Sequence, residues 1–304
     1  MRTVFFGNHT LGIRSLQALG RLTEVVGVIA HPDDPEDGRV YDSLYLFAKD
    51  VGIPAIRGRG RDAPVHAFTH RAKPDLIWIA GYRYLLPPEC FDLAPLGAVN
   101  LHPSRLPAYR GRAPLNWAIL NGETRLALTA HFVDEGVDCG DIIDQMEFDL
   151  AIDQDVGDAL GLLDPLYTAI TERVVGHFLA GTVPRRPQDL AGFPVWPNRN
   201  REDGRIDWTR PAGEIRDLVR GVTAPYPGAF TDLGPARLVV WKAAVLASDS
   251  DATPGTVLAF TEAGIHVHSG RGTLVVEKFE IEGVSPVPEI APGVVLGLSG
   301  EADG

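Results

Sequence analysis

Cysteine is scarce in this sequence. The 304 residues hold two, Cys90 and Cys139, and two thiols so far apart frame neither a disulfide scaffold nor a zinc site. They read as reduced thiols of a cytosolic protein. A basic excess is also lacking. Against 28 Lys and Arg stand 40 Asp and Glu, for a net charge of −12. Such a surface repels polyphosphates at long range, which sets nucleic acid, and tRNA in particular, aside as a partner. A local basic pocket for one or two phosphates is still compatible with it. No apolar run approaches the roughly 20 residues of a membrane helix. Met1–Gly7 has no apolar core followed by a cleavage site, so a cytoplasmic protein that meets no membrane is expected. Internal repeats and low-complexity tracts are missing too. The first strand-to-helix turn, Gly7-Asn8-His9-Thr10-Leu11-Gly12, lacks the Gly-x-Gly-x-x-Gly spacing. Close backbone approach to a pyrophosphate is therefore not encoded, and a nicotinamide cofactor is disfavoured. His and Asp show no compact ligand spacing, and no metal is expected.

What is present is an ordinary globular composition, 45% apolar and 22% charged, on a chain long enough for a large domain with a smaller one beside it. Residues 3–6, 25–29 and 75–80 are short apolar runs of buried-strand type. Residues 11–19 and 41–51 carry helical spacing, with Gly52 as the stop of the second. His31–Gly38 reads as a polar loop. This alternation predicts an α/β fold, a Rossmann-like, mostly parallel sheet with helices on both faces. Later, 237–246, 255–260, 264–268 and 272–282 are strand-like with turn residues between them. They predict a smaller C-terminal β-barrel domain, OB-like in kind. Residues 181–204 are rich in Pro and Arg without periodicity. The expected organisation is the α/β domain over 1–185, a linker over 186–204 and the barrel over 205–304, with a frayed tail at Ser299–Gly304.

Chemistry concentrates between Gly97 and Gln145. In Val99-Asn100-Leu101-His102 the alternation places Asn100 and His102 on one face of a strand, one pleat apart. Pro103 then ends regular pairing. A carboxamide can donate to a developing oxyanion, and an imidazole can take or relay a proton. The bland alternative is a turn-capping Asn beside a core His. Pro107–Pro114 is a turn-rich loop with Arg110 and Arg112 around Gly111, suited to an anionic ligand or simply solvated. Downstream, Gly136-Val137-Asp138-Cys139-Gly140-Asp141 brackets Asp138 with glycines among crowded carboxylates. Either this is an acidic surface turn, or Asp138 hydrogen-bonds His102 and stabilises its charged form.

Taken in order, Asn100-x-His102, Ser104-x-Leu106-Pro107, Tyr109-Arg110-Gly111-Arg112-Ala113-Pro114 and Gly136-x-Asp138-x-Gly140-Asp141-Ile142 resemble the formyltetrahydrofolate-dependent formyltransferases. The likeness spans nearly the whole chain. Gly81–Glu89 falls where that family has its folate-binding loop, and Gly204–Trp208 with Pro225–Phe230 where it leads into its C-terminal barrel. Within the family the sequence is most similar to the sugar N-formyltransferases and to the formyltransferase domain of the bifunctional polymyxin-resistance enzyme. His31–Pro35, Tyr41–Ser43, Tyr82-x-Tyr84 and Tyr109–Trp117 carry that likeness. A counterpart of the dehydrogenase–decarboxylase half of that enzyme is not expected. Two departures stand out: Pro103 in place of the usual small residue, and Arg105 inside the Ser-Leu-Leu-Pro loop, where it puts a charge near the expected active-site mouth.

The resemblance implies an N-formyltransferase that uses 10-formyltetrahydrofolate, without metal, on a small-molecule amine, foremost a nucleotide-linked amino sugar. It implies catalytic roles for Asn100, His102 and Asp138. It implies a folate site formed by Tyr82, Arg83, Tyr84, Leu85, Leu86, Val137 and Asp141, and acceptor contacts from Ser104, Arg105, Tyr109, Arg110 and Arg112. The neutral amine attacks the formyl carbon in this reading, Asn100 and a protonated His102 meet the oxyanion, and Asp138 orients His102. Alternative acceptors are an amino-acid amine such as hydroxyornithine, and methionyl-tRNA. Alternative functions are hydrolysis of formyltetrahydrofolate and non-catalytic binding. Two roles stand open for the barrel: acceptor binding, or dimerisation into a homodimer.

Overall fold

The computed structural model describes residues 1–32, 42–248, 250–283 and 290–298. Residues 33–38 of the expected polar loop, Tyr41 and the tail Ser299–Gly304 lie outside them. Contacts group the chain into two compact units. One holds 1–114, 125–149 and 160–197; the other holds 115–124, 150–159 and the described residues from Asn198 onward.

The first unit is built on β1 (Arg2–Gly7), α1 (His9–Leu22), β2 (Glu24–Ala30), α2 (Leu44–Asp50), β3 (Ala55–Arg57), α3 (Ala63–Ala72), β4 (Leu76–Ala80), α4 (Pro88–Phe91), β5 (Ala98–His102) and β6 (Arg110–Gly111). After α5 (Pro114–Leu120) come β7 (Arg125–Phe132), β8 (Ile142–Asp149), α6 (Val156–Ala180) and β9 (Val195–Trp196). Seven strands form one sheet in the order β3-β2-β1-β4-β5-β7-β8. The pairs from β3 to β5 are parallel, while β7 runs antiparallel to β5 and β8 to β7. Every residue of β4 is buried, so both faces of the sheet's centre are covered, as a parallel sheet requires. The helix expected over 41–51 is observed as α2, with Ser43 Oγ accepting the Leu46 N–H.

α1 turns Ile13, Leu16 and Leu19 inward at helical spacing, together with Ser15. Burial of that hydroxyl is compensated. Thr171 Oγ1 donates to the Tyr167 carbonyl at 2.6 Å, so Ser15 donates to Thr171 Oγ1 at 2.9 Å. Ser15 Oγ in turn accepts the Trp78 indole N–H at 2.8 Å. One short polar chain thus joins α1, α6 and β4 inside an apolar core.

The second unit carries α7 (Ala212–Val222) and strands β10 (Ala229–Leu233), β11 (Ala236–Leu246), β12 (Val257–Thr261), β13 (Gly264–His268) and β14 (Thr273–Glu282). The strands make an antiparallel sheet in the order β10-β11-β14-β13-β12. Ile215, Val219 and Val222 of α7 belong to one buried cluster with Leu238, Val240, Leu274 and Val276 of the sheet. Among the described residues, no helix is long and apolar enough to cross a membrane.

Ser15→Ala strands the Trp78 N–H, and a buried orphan donor costs about 1–3 kcal/mol. The chemical-denaturation midpoint should fall accordingly without a change of slope. An unchanged midpoint would remove the polar chain from the list of stabilising contacts.

Candidate active site

β5 and β7 pair with Asn100 opposite His131 and His102 opposite Thr129. Directly opposed residues share a face of the sheet, as do i and i+2 on one strand. Asn100, His102 and His131 therefore point the same way. The loop 133–141 between β7 and β8 folds back over this face and delivers Asp138. The path is tight: a Cβ on Gly140 would lie 2.0 Å from the Phe132 carbonyl oxygen. Asp138 itself sits at φ +47°, in the left-handed region that Asp tolerates better than most residues.

Both oxygens of the carboxylate have close neighbours. Asp138 Oδ2 accepts the Gly111 N–H at 2.9 Å and lies 3.6 Å from His102 Nδ1. Asp138 Oδ1 accepts from Asn100 Nδ2 at 3.4 Å and lies 3.5 Å from His131 Nε2. His102 Nε2 is 2.8 Å from the Tyr109 carbonyl oxygen. A carbonyl only accepts, so Nε2 carries the proton, and in the neutral ring Nδ1 keeps its lone pair. His131 has the opposite arrangement: Nδ1 donates to the Phe132 carbonyl at 2.8 Å, and Nε2 accepts from Asn100 Nδ2 at 3.2 Å.

Burial pulls opposite ways on the two ionisable partners. It pushes the His102 pKa down, against the smaller upward pull of Asp138 and of the Tyr109 carbonyl. Burial would raise Asp138, but His102, His131 and the Gly111 N–H outweigh it and hold the carboxyl well below the usual carboxylate range. The two directions are in tension, because a charged His102 is part of what depresses Asp138. The pair titrates as one unit. The ionised Asp138 is the firmer direction, since the Gly111 N–H stabilises it whatever the state of the ring. The resting site is then a carboxylate beside a neutral His102. The imidazolium expected from the sequence is the form reached after His102 takes a proton. Cys139 is no competing nucleophile: burial, then Asp134, pushes its thiol up to about 11.

Residues 1–160 match the formyl transferase family, and residues 199–289 match its C-terminal domain. The chain belongs to the formyl transferase family. Among solved structures it is similar to WlaRD, a sugar 3N-formyl transferase in the presence of dTDP and 5-N-formyl-THF, with 17% identity, TM-score 0.68, 94% of this chain and 99% of that one covered. It is similar to the N-formyltransferase from Helicobacter canadensis in complex with folinic acid and dTDP-3-aminofucose, with 17% identity, TM-score 0.72, and 91% and 99% covered. A methionyl-tRNA formyltransferase from Clostridium thermocellum shows 17% identity, TM-score 0.59, and 93% and 100% covered.

The other residues expected in this formyltransferase's site fall into groups. Ser104 and Tyr109 are buried beside the trio, and Ser104 Oγ donates to the same Tyr109 carbonyl at 3.1 Å. Arg110 bridges the Val137 carbonyl (3.5 Å) and the Phe193 carbonyl (2.8 Å). Arg112 Nη1 donates to the Arg83 carbonyl at 2.6 Å, which ties the 110–112 loop to the 82–86 loop. Tyr82 stands edge-on to Tyr84, and its hydroxyl donates to the Gly58 carbonyl at 2.7 Å. Leu86 is buried in the core, whereas Leu85 is 64% exposed. Asp141 pairs with Arg185 at 3.5 Å. Arg105 turns to β8, where it and Arg125 share Glu147 at 3.3 and 2.8 Å. Three contributors went unnoticed in the sequence. His131 had a signal, its i+2 alternation with Thr129; Gln188, which donates to the Asp138 and Gly140 carbonyls, and Trp196, which donates to the Ala108 carbonyl, had none.

Because the folded-state pKa of Asp138 lies below its unfolded value, its stabilisation is complete above about pH 4 and is lost as the pH falls. Wild-type denaturation midpoints should therefore drop on acidification from about pH 6 to about pH 3, and drop less in Asp138→Asn. Parallel curves for the two proteins would show that Asp138 is not held ionised by its neighbours.

Proposed function

We propose that this protein transfers a formyl group from 10-formyltetrahydrofolate to the primary amine of a nucleotide-linked amino sugar. The observation that carries the reading is the convergence of Asn100, His102 and an ionised Asp138 on one face, within a formyl transferase. A folate suits the neighbouring lining. The 82–86 loop offers two tyrosine rings and an exposed leucine side chain, partners for the flat faces of a pterin. When bound, the folate supplies the formyl carbon.

Three tasks fall to the chain's own residues. Asn100 presents Nδ2, whose long 3.4 Å contact with Asp138 gives way to a stronger acceptor, the oxygen on which charge develops. His102 takes the proton of the attacking amine at Nδ1, the nitrogen that Tyr109 leaves unprotonated. Asp138 then faces an imidazolium and stabilises it. The amine nitrogen bonds to the formyl carbon as that carbon's bond to the folate nitrogen breaks, and the proton goes to the departing nitrogen.

The acceptor reading has two supports. Two of the similar structures hold dTDP or dTDP-3-aminofucose. The net charge of −12 also disfavours a polyanionic tRNA.

Incubation with 10-formyltetrahydrofolate and a panel of nucleotide-linked 3-amino and 4-amino sugars, with hydroxyornithine alongside, tests this directly by mass. The expected result is one formyl group gained on a sugar nucleotide and none with His102→Ala. Formylated hydroxyornithine alone would overturn the acceptor, and formate release without any amine would overturn the transfer. In the same assay Asn100→Ala should lower kcat by about 10²–10³-fold, and an unchanged kcat would take Asn100 out of its role.

A further inference from the structure

The Pro- and Arg-rich stretch after α6 is bonded along its length to the loops of the site. At one end Arg186 and Ile142 exchange both backbone hydrogen bonds, at 2.9 and 3.0 Å. Next, Gln188 Nε2 donates to the carbonyls of Asp138 at 3.1 Å and Gly140 at 2.7 Å. At the far end β9 pairs in parallel with β6. There the Trp196 Nε1–H donates to the Ala108 carbonyl at 3.0 Å, and the indole stacks on Tyr109 with centroids 5.6 Å apart and planes 22° from parallel. A Cβ on Gly111 would lie 2.4 Å from the Trp196 carbonyl oxygen, so only glycine lets this strap pass so close.

These contacts fall on the two backbone segments that the trio depends on. One contains Asp138, whose positive φ relaxes unless its surroundings over-determine it. Gln188 spends both amide hydrogens there. The other contains Tyr109, whose carbonyl sets the His102 tautomer, and Trp196 grips that segment by its stack and by the preceding carbonyl. We propose that the strap 186–196 is a positioning element for the transfer reaction, with Gln188 holding Asp138 against the imidazoles and Trp196 holding the Tyr109 carbonyl that keeps the His102 proton on Nε2. This rests on the roles proposed above for His102 and Asp138. If the Tyr109 carbonyl recedes, Asp138 becomes the stronger acceptor for the ring and draws the proton to Nδ1. The lone pair of His102 then lies on Nε2, turned away from the Nδ1 position that receives the amine proton.

The test uses the full chain with 15N-labelled histidine. Imidazole nitrogen spectra report tautomer and titration without substrate, and the formylation assay reports kcat and KM. Trp196→Phe keeps the stack and removes the N–H; Gln188→Ala removes both donors to the Asp138 loop. The wild-type spectrum should show His102 protonated on Nε2, with a share moved to Nδ1 in Trp196→Phe. In Gln188→Ala the His102 midpoint should shift further down, because the carboxylate that opposes burial has receded. Both variants should lose about 10–100-fold in kcat while each KM stays within about twofold. Unchanged His102 spectra and kcat in both variants would overturn the proposal, as would a kcat loss matched by general loss of dispersion in the spectra. If the wild type formylates nothing in the panel, the proposed function fails alone, and the spectra still decide for or against the strap.

Discussion

Taking the Asp138 carboxylate out of water costs several kcal/mol unless its oxygens find partners, and the surrounding architecture supplies them one by one. β5 contributes the Nδ2 donor of Asn100, and places His102 where its Nδ1 becomes a donor once protonated. The antiparallel return of β7 sets His131 opposite Asn100, where its Nε2 accepts from Nδ2 and fixes that donor. The 107–112 loop presents the Gly111 N–H. The two donors, Asn100 and Gly111, are both far from Asp138 in sequence, so the compensated charge exists only in the completed fold. Removing one partner would leave the charge buried and short of compensation, which is far more costly than never burying it.

The same burial sets the resting state of His102. A solvated imidazole beside a carboxylate would be drawn towards the charged form. Here the low-dielectric surroundings oppose that pull, and the Tyr109 carbonyl commits the single proton to Nε2. The result is a neutral ring with a lone pair aimed at a fixed negative charge, an arrangement that favours gaining a proton without holding one at rest. Two histidines on one carboxylate also divide the labour. His131 spends its proton on a backbone carbonyl and turns an accepting nitrogen to Asn100, which keeps the amide hydrogens of Asn100 on the side of the site.

Much of the first unit was legible because buried parallel strands are apolar on both faces. β1, β2 and β4 appear as short apolar runs. β3, with three residues, is too short to register. β7 is almost wholly buried, but burial carries no direction, so its reversal is invisible to periodicity. That reversal is what makes His131 part of the site; from sequence it looks like a core residue. Arg105 illustrates the converse. Its place in a loop beside the trio is legible, whereas its pairing with Glu147 depends on the β7–β8 register, which is not. Asp138 was ambiguous from composition alone and was singled out by family resemblance. Residues 186–197 show no hydrophobic period because backbone and amide bonds, not an apolar face, hold them down.

The division of the chain into units is interleaved. The second unit takes in 115–124 and 150–159 as well as the C-terminal strands. Asn116 Nδ2 donates to the Gly221 carbonyl at 2.8 Å, and Leu120 packs so close to Gly221 that a Cβ there would meet it at 2.3 Å. Arg220 likewise reaches back to the Gln154 carbonyl at 3.2 Å. A fragment ended at Pro197 would keep all of the trio but leave these excursions facing solvent with their apolar and amide partners gone. The segment that holds the trio is therefore no self-contained cassette: cut at Pro197, it carries two stretches whose bonding partners lie in the C-terminal half.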